Sequence, residues 1–235
     1  MTATQEAIAE RIHSAESSRS ASYLPMQEVC EALVLDAQFR QSLVSVRSLG
    51  RKHIRVGAVE TFDGVPAFSS KWCLQKAVLP AREATPDYFK CLQQVLSATS
   101  AKVIIPSSDG TIALIRRHRK TLERRTRVAL AKEPALGIAV NKGQTLEIAR
   151  RLGLLIPRGV DIASVRDVDA AIREVGLPAV VKPEESWMGD EKSGIRFSPQ
   201  LVTTLHEAQQ VVASMTRFGG NLLFQQFLDG RREAV

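Results

Sequence analysis

The sequence has few aromatic residues, few cysteines and no long apolar run. Phe, Trp and Tyr make up 5% of its 235 residues, so we expect a core built mainly from Leu, Ile, Val and Ala. Its three cysteines, Cys30, Cys73 and Cys91, are scattered and odd in number. That pattern excludes a disulfide framework and a zinc-binding spacing. No stretch approaches the ~20 apolar residues that a membrane span needs. We therefore expect a cytoplasmic protein with no membrane partner.

The charge is basic but unevenly placed. The formal net charge is +7, and the basic residues concentrate between Arg116 and Arg127. No aromatic interleaving or recognised module accompanies them, so we interpret this run as a solvated helix face and predict no nucleic-acid partner. Nucleic-acid binding through the same run stays open as an alternative, which predicts binding that weakens steeply with salt. Residues 1–27 have no basic and apolar signal pattern and are predicted to form a polar tail.

Residues 28–130 alternate strand-like and helix-like segments. Apolar runs at 32–35 and 54–59 flank a helical pattern at 39–50, which is a βαβ unit and indicates a parallel sheet. A third apolar run, 103–105, leads into a Pro-Ser-Ser-Asp-Gly turn and another helix. The sequence thus predicts a small doubly wound α/β domain. Asp109 lies at this turn, where such sheets bind ligands, but we expect it to cap the helix.

The pattern changes in residues 131–235. Ser164 and Asp167 form a capping box ahead of apolar residues spaced by three and four. A short β run at 179–182 and a last strand at 222–228 are separated by a polar loop and an amphipathic helix. Helices and strands do not alternate here as they do in a doubly wound domain. We predict an α+β unit with helices on one face of a largely antiparallel sheet.

Four blocks of this second half occur in an order that is typical of one superfamily. They are NKGQTLEIARRLGLLIP, GLPAVVKP, a polar loop with a late glycine, and LLFQQFLDGRREAV. In these blocks the chain resembles the ATP-grasp superfamily, in the branch of carbamoyl-phosphate synthase and biotin carboxylase. The resemblance implies a Rossmann-like pre-ATP-grasp domain at 28–130. It also implies that 131–235 is the nucleotide-binding N-terminal subdomain of an ATP-grasp fold, cut short.

The resemblance also implies which residues bind ATP. Lys182 ends the GLPAVVKP strand and corresponds to a lysine that contacts the inner phosphates and adenine. Lys142 opens a helix and corresponds to a second phosphate-binding lysine. The loop at 184–194, with Gly194 near its end, corresponds to the loop over the triphosphate. Adenine and ribose contacts are implied for Gln225, Gln226, Phe227, Leu228 and Glu233.

Two features depart from the superfamily pattern. Gln226 stands where these enzymes usually have Glu, so any role of that carboxylate is lost, whereas recognition of adenine by the backbone could persist. Four carboxylates flank the loop glycines, and they would repel a triphosphate unless they point away. They belong to Glu184, Glu185, Asp190 and Glu191.

The activity implied by the resemblance is ATP-dependent ligation of a carboxylate to an amine or thiol through an acyl phosphate. The Mg²⁺ ligands of such enzymes lie beyond the segment matched here, so we predict no catalytic or metal-binding residue in this chain, and no activity of the chain alone. The strand at 222–228 is then expected to lack partners and to leave an apolar face open. The alternatives are a non-catalytic nucleotide-binding module and one half of a split enzyme. The partner is left open between a second copy of the chain and a missing C-terminal half.

Overall fold

A computed structural model describes residues 29–189 and 194–230, which contain a parallel and an antiparallel sheet. Every strand of the first sheet runs parallel to its neighbours, in the order β3-β2-β1-β4-β5. Its strands are β1 (Ala32–Val34), β2 (Val56–Glu60), β3 (Cys73–Val78), β4 (Val103–Ile105) and β5 (Arg127–Val128). The order places the switch of winding direction between β1 and β4. The predicted parallel sheet is confirmed, with β3 as a strand that the apolar pattern missed.

Three helices cover this sheet, and we call the assembly the parallel unit. They are α1 (Arg40–Gly50), α2 (Pro86–Thr99) and α3 (Asp109–Leu122). Buried aliphatic side chains fill both faces of the sheet, as expected from the composition. The predicted capping role of Asp109 is wrong: the hydroxyl of Ser108 accepts the cap hydrogen bond from the Thr111 N–H. Ser108 has the extended backbone of a cap residue, whereas Asp109 is already helical.

The second sheet is antiparallel, in the order β10-β7-β11-β6. Its strands are β6 (Gly159–Ile162), β7 (Ala179–Pro183), β10 (Gln200–Val202) and β11 (Leu222–Gln226). Helices α6 (Val168–Val175) and α7 (Leu205–Thr216) pack on one face, over a core that includes Val181 and Phe224. The predicted α+β layout is observed, and we call this assembly the antiparallel unit. The predicted capping box of Ser164 and Asp167 is also present, ahead of one 3₁₀ turn that leads into α6.

The structure corrects the expectation for the last strand. β11 is central, because it pairs with β7 on one side and with β6 on the other. It therefore does not lack partners, and the reason is β6, which the sequence pattern did not reveal. The strand also ends at Gln226, so Phe227 and Leu228 lie beyond it. On the face opposite the helices Leu223 and Gln225 of β11 are buried, so the apolar face expected to stay open is covered at this strand.

Two further helices and a two-stranded hairpin connect the sheets. The helices are α4 (Ala135–Val140) and α5 (Lys142–Arg151), which precede β6. The hairpin strands are β8 (Trp187–Met188) and β9 (Ile195–Arg196), within the segment predicted as a phosphate-covering loop. Residues 190–193 between them lie outside the described part of the chain. The division into domains at residues 28–130 and 131–235 remains a prediction.

Candidate functional site

The candidate site begins on the face of the antiparallel sheet that lies opposite α6 and α7. Side chains alternate along a strand, so residues next to core residues point to the opposite face. Val181 and Phe224 are fully buried beneath the helices. Lys182 and Gln225 are their chain neighbours and therefore project to the opposite face, where Gln225 is buried and Lys182 is partly exposed. Sequence alternation alone places this lysine and this glutamine on the same side of two paired strands.

Lys182 is half-buried on that face. Its ammonium group donates a hydrogen bond to Oε1 of Gln225, on the adjacent strand. Burial lowers the pKa of Lys182 from its ordinary value, because desolvation disfavours the charged form. A compact cation held by a neutral amide keeps its charge available for an anion. The geometry therefore suits the predicted phosphate contact of Lys182.

Lys142 approaches from the start of α5. The side chain of Asn141 caps this helix by accepting from the Gln144 N–H at 2.9 Å. The Lys142 backbone N–H donates to the carbonyl oxygen of Glu184 at 2.9 Å, which ties the helix start to the end of β7. Its ammonium group donates to Oγ of Ser186 at 3.0 Å and to the Glu184 carbonyl at 3.4 Å. The helix start and the hairpin thus hold the lysine in place.

The two lysines are close enough to influence each other. Burial is the largest cause that lowers the pKa of Lys142, and the charges of Lys182 and Arg196 lower it further. The carboxylates of Asp109 and Glu185 act in the opposite direction. Two partly desolvated ammonium groups that repel each other are stabilised by an anion between them.

A groove of about 600 Å³ runs between α5 and the face of the antiparallel sheet opposite α6 and α7. Asn141 and Gly143 line it at the helix start, Glu184 at the end of β7, and Leu223 on β11. Arg150 and Arg151 line its other end, beside Glu147, which forms ion pairs with both. A groove of this size, with apolar and polar walls, is typical of small-molecule sites.

The other predicted contacts are less well placed. Gly194 lies against the indole of Trp187, where an added Cβ would be 2.6 Å from Nε1. Its glycine character is thus explained by ring packing inside the hairpin. The backbone N–H of Gln226 donates to the Arg158 carbonyl, and that of Phe227 to the Pro178 carbonyl. Phe227 and Leu228 are 39% and 61% exposed. Glu233 lies outside the described residues.

Sequence reasoning missed a buried polar cluster in the parallel unit. It lies at the carboxyl ends of the strands, beside the switch between β1 and β4, where open α/β sheets bind ligands. Oδ2 of Asp36 accepts hydrogen bonds from the Ser107 and Ser108 N–H groups and from Thr111 Oγ1, each at 2.7 Å. Ser108 Oγ also donates to Glu83. The only sequence signal was an aspartate directly after the first apolar run.

Burial raises the pKa of the carboxyl groups in this cluster. Desolvation is the largest cause for Asp36, Glu60 and Glu83. Their mutual repulsion adds to the effect for Glu60 and Glu83, while hydrogen bonds oppose it. The same charges and full burial raise the pKa of Tyr88. Ionisation of these buried carboxyl groups therefore lowers the free energy of unfolding.

Comparison with known proteins finds one sequence relative and several solved structures of similar architecture. No protein-family model matches the chain. A D-alanine--D-alanine ligase from Xanthomonas axonopodis pv. citri is 31% identical over 96 residues, which cover 40% of this chain and 28% of the ligase. Among solved structures, an N5-carboxyaminoimidazole synthetase from Staphylococcus aureus complexed with ADP has a TM-score of 0.57 at 13% identity. The match covers 88% of this chain and 49% of the synthetase.

Two other solved structures give the same result. A biotin carboxylase from Campylobacter jejuni has a TM-score of 0.58 at 12% identity, with 85% of this chain matched to 46% of that one. An L-amino acid ligase from Bacillus licheniformis has a TM-score of 0.56 at 16% identity, with 85% matched to 45%. The chain therefore has a partial ATP-grasp fold and spans about half the length of these structures. In the part of the chain that the structure describes, no helix is long and apolar enough to cross a membrane.

Proposed function

We propose that this chain is the ATP-binding portion of an ATP-dependent ligase that joins a carboxylate to an amine or thiol. One observation carries the proposal. Lys142, at a helix start, and Lys182, at a strand end, are both partly buried cations, and the charge of Lys182 contributes to the lowered pKa of Lys142. The partial ATP-grasp fold supports the same conclusion, since one structural neighbour was crystallised with ADP.

The two lysines would bind the phosphate groups. An ammonium group is a compact donor with three N–H bonds and suits phosphate oxygens. The start of α5 adds the partial positive charge of a helix N-terminus. In this arrangement Gln225 orients Lys182, and Ser186 orients Lys142. Binding of an anion would relieve the repulsion between the two ammonium groups.

The nucleoside would bind toward the end of β11. Phe227 and Leu228 present exposed apolar side chains just past the strand, suited to packing on a purine ring. We propose the backbone of Gln226 and these two residues for adenine, Glu233 for the ribose hydroxyl groups, and Gly194 for the triphosphate side. Loss of the carboxylate at Gln226 leaves backbone recognition as the route available.

The proposed reaction has two steps. A carboxylate oxygen of the substrate attacks the γ-phosphorus of ATP, which forms an acyl phosphate and releases ADP. The amine or thiol then attacks the acyl carbon and releases phosphate. Mg²⁺ neutralises phosphate charge in such transfers when bound. Among the described residues no group of three or more His, Cys, Asp or Glu side chains could hold a metal ion, and we propose that the Mg²⁺ ligands belong to the second half of the cleft.

Because the chain spans about half of each structural neighbour, the full reaction needs a second half of the cleft. We propose that this half comes from further sequence, from a separate polypeptide or from a second copy of the chain. A non-catalytic nucleotide-binding module would share the same lysines. These cases differ in turnover, because only the assembled ligase would release ADP in the presence of a carboxylate.

Calorimetric titration of the purified chain with Mg²⁺–ATP tests the binding step. Lys182→Met keeps an apolar stem and removes the charge, and we expect it to weaken ATP binding at least about tenfold. Lys142→Met is expected to weaken binding by a similar factor. Lys120→Met is the matched control, since Lys120 is exposed near the end of α3. Absence of ATP binding by the unaltered, folded chain, or equal affinities of the Lys182 and Lys120 variants, would refute the proposal.

A further inference from the structure

Two open grooves meet at the end of α3. Their volumes are about 770 Å³ and about 670 Å³. Lys102 and Thr126, which precede β4 and β5, line the second groove, so it lies at the amino ends of these parallel strands. Arg124 and Arg125 line both grooves and therefore form a ridge between them. We call this ridge and its two grooves the basic surface.

The basic surface concentrates positive charge. Among the described residues that line the two grooves, Glu123 is the only carboxylate, and it pairs with Arg119. The remaining charged lining residues are all cations, namely Lys90, Lys102, Arg124, Arg125, Arg127 and Lys132. Since the formal net charge of the whole chain is +7, six cations in one place are a large share of it. Such a surface attracts polyanions.

The fold divides the basic run of residues 116–127 into two parts. Arg116 forms ion pairs with Glu133 and Glu185, and Arg119 forms one with Glu123. The charges of these two arginines are therefore balanced within the protein. The three arginines at the end of the run are exposed and line the basic surface instead. The run is thus not one uniform helix face.

The composition of the lining favours a nucleic acid over a protein or a lipid surface. Of the large hydrophobic side chains that are exposed in the described part of the chain, none lines either groove. A protein interface usually has an apolar centre, and a membrane-binding surface needs apolar side chains that insert. Protein–DNA interfaces are instead polar and strongly positive. Arginine suits them because its planar guanidinium group binds two phosphate oxygens at once.

The shape favours a duplex over a single strand. No aromatic residue is found among the described residues that line the grooves, so the bases of a single strand would have no ring to stack on. A duplex keeps its bases stacked and presents two phosphate strands, one on each side of its major groove. That groove is about 12 Å wide, and a helix with its side chains is about 10–12 Å across, so a helix end fits between the strands.

We infer, against the expectation of a solvated helix face, that the basic surface binds the phosphate backbone of double-stranded DNA. Arg124 and Arg125 lie between the two strands, and the cations of each protein groove contact one strand. This binding does not depend on the proposed function. Asp109, whose charge acts on Lys142, starts α3, whereas the basic surface lies at the other end of this helix, about 20 Å away.

Fluorescence anisotropy with a fluorescein-labelled DNA duplex of about 20 base pairs tests the surface. We expect a Kd of about 1–100 µM near physiological salt, as for binding without sequence preference. The affinity should fall steeply as the salt concentration rises. If about five phosphates are neutralised, a plot of log K against log salt has a slope of about −4.5. An unlabelled single strand of the same sequence should compete at least about fivefold less well than the unlabelled duplex.

The double variant Arg124→Gln/Arg125→Gln removes the charge of the ridge. We expect its DNA affinity to fall about tenfold or more, and the salt slope to become less steep by about two. Arg47→Gln/Arg51→Gln is the matched control, because it removes the same charge from exposed arginines at the end of α1. The control should change the Kd by less than about twofold. Circular dichroism melts confirm that both variants are folded.

Several results would overturn the inference. Equal losses of affinity in the two double variants would mean that DNA responds to net charge alone. A flat salt dependence, or no binding at about 50 mM salt, would exclude a phosphate-binding surface. A single strand that competes as well as the duplex would contradict the placement of the ridge between two strands. Binding to vesicles with about one third phosphatidylserine, lost in the Arg124→Gln/Arg125→Gln variant and without DNA binding, would assign the surface to lipid.

The outcome can be told apart from a failure of the proposed function. ATP titration of the Arg124→Gln/Arg125→Gln variant should give the affinity of the unaltered chain, because these arginines lie away from Lys142 and Lys182. If the unaltered chain binds DNA as expected but does not bind ATP, the proposed function fails and the basic surface stands. If it binds ATP but not DNA, only the inference about the basic surface is overturned.

Discussion

The backbone N–H of Ser108 donates a 2.7 Å hydrogen bond to the Asp36 carboxylate, across 72 residues of sequence. Asp36 lies two residues after the end of β1 and has a positive φ of 58°, and Ser108 caps α3 after the fourth strand. The bond therefore joins the chain after β1 to the start of α3, at the switch point of the parallel sheet. The start of the same helix also contacts the hairpin, since an added Cβ at Gly110 would be 2.8 Å from Cζ3 of Trp187.

Removal of the Asp36 side chain should destabilise the parallel unit strongly. Asp36→Ala leaves two backbone N–H groups and the Thr111 hydroxyl without their acceptor in a buried place. We expect a loss of about 3 kcal/mol or more in the free energy of unfolding, measured by urea denaturation. Asp36→Asn keeps an amide oxygen as acceptor and should lose roughly half as much.

Asp63→Ala is the control for this experiment, because Asp63 is exposed in a loop and bonds only the next N–H among its described contacts. It should change the free energy of unfolding by less than about 0.5 kcal/mol. Equal effects of the two alanine substitutions would show that the Asp36 cluster does not stabilise the fold.

The charge of Glu83 should make stability depend on pH. Burial, with the charges of Asp36 and Glu60, raises the pKa of Glu83 above its ordinary value. A carboxyl group whose pKa is higher in the folded state binds more protons there than in the unfolded state. Its contribution to stability is therefore lost as pH rises from the ordinary carboxyl pKa through the raised one, and is constant above that.

Glu83→Gln stays neutral and still accepts the Ser108 hydrogen bond, so it should escape this loss. We expect its Tm to exceed that of the unaltered chain by about 2–4 °C near pH 8, with a smaller difference near pH 4. Thermal melts at both pH values measure the two differences. Glu174→Gln, at an exposed position of α6, serves as the control. A difference for Glu83→Gln that shrinks as pH rises would contradict the assigned sign.

The end of β11 can be tested with two phenylalanines that lie three residues apart. Phe224 is fully buried in the middle of the strand, whereas Phe227 is 39% exposed beyond its end. Phe224→Ala should lower the free energy of unfolding by about 3–5 kcal/mol through lost burial and a cavity. Phe227→Ala should cost about 1 kcal/mol or less, measured by the same denaturation. Similar costs would mean that the strand continues to Phe227, as the sequence pattern first indicated.

Much of the fold could be predicted because its signals are local. The apolar run at β4 and the helical spacing of α1 needed no knowledge of neighbours. The capping box of Ser164 and Asp167 is likewise written within four residues. By contrast β6, with the sequence Gly-Val-Asp-Ile, and β10, with Gln-Leu-Val, are short and partly polar. They become strands because β11 and β7 offer paired backbone groups, a condition that only the assembled sheet supplies.

The candidate site divides in the same way. The resemblance carried by the block GLPAVVKP indicated Lys182, and the alternation of side chains along a strand gives the face to which it projects. The distance between Lys142 and the hairpin could not be predicted, since it depends on how α5 meets β7. Nor could the packing of Gly194 against the Trp187 ring be predicted from the sequence, because it depends on how the two arms of the hairpin pair.

The sequence by itself determined the two kinds of sheet and most helix positions, because hydrophobic period and capping act within a few residues. Tertiary structure alone decided the central place of β11, the acidic cluster around Asp36 and the packing of Trp187 against the parallel unit. Each of these joins residues that are far apart along the chain. Such contacts form only when packing brings them together, and their energies depend on burial and on neighbouring charges.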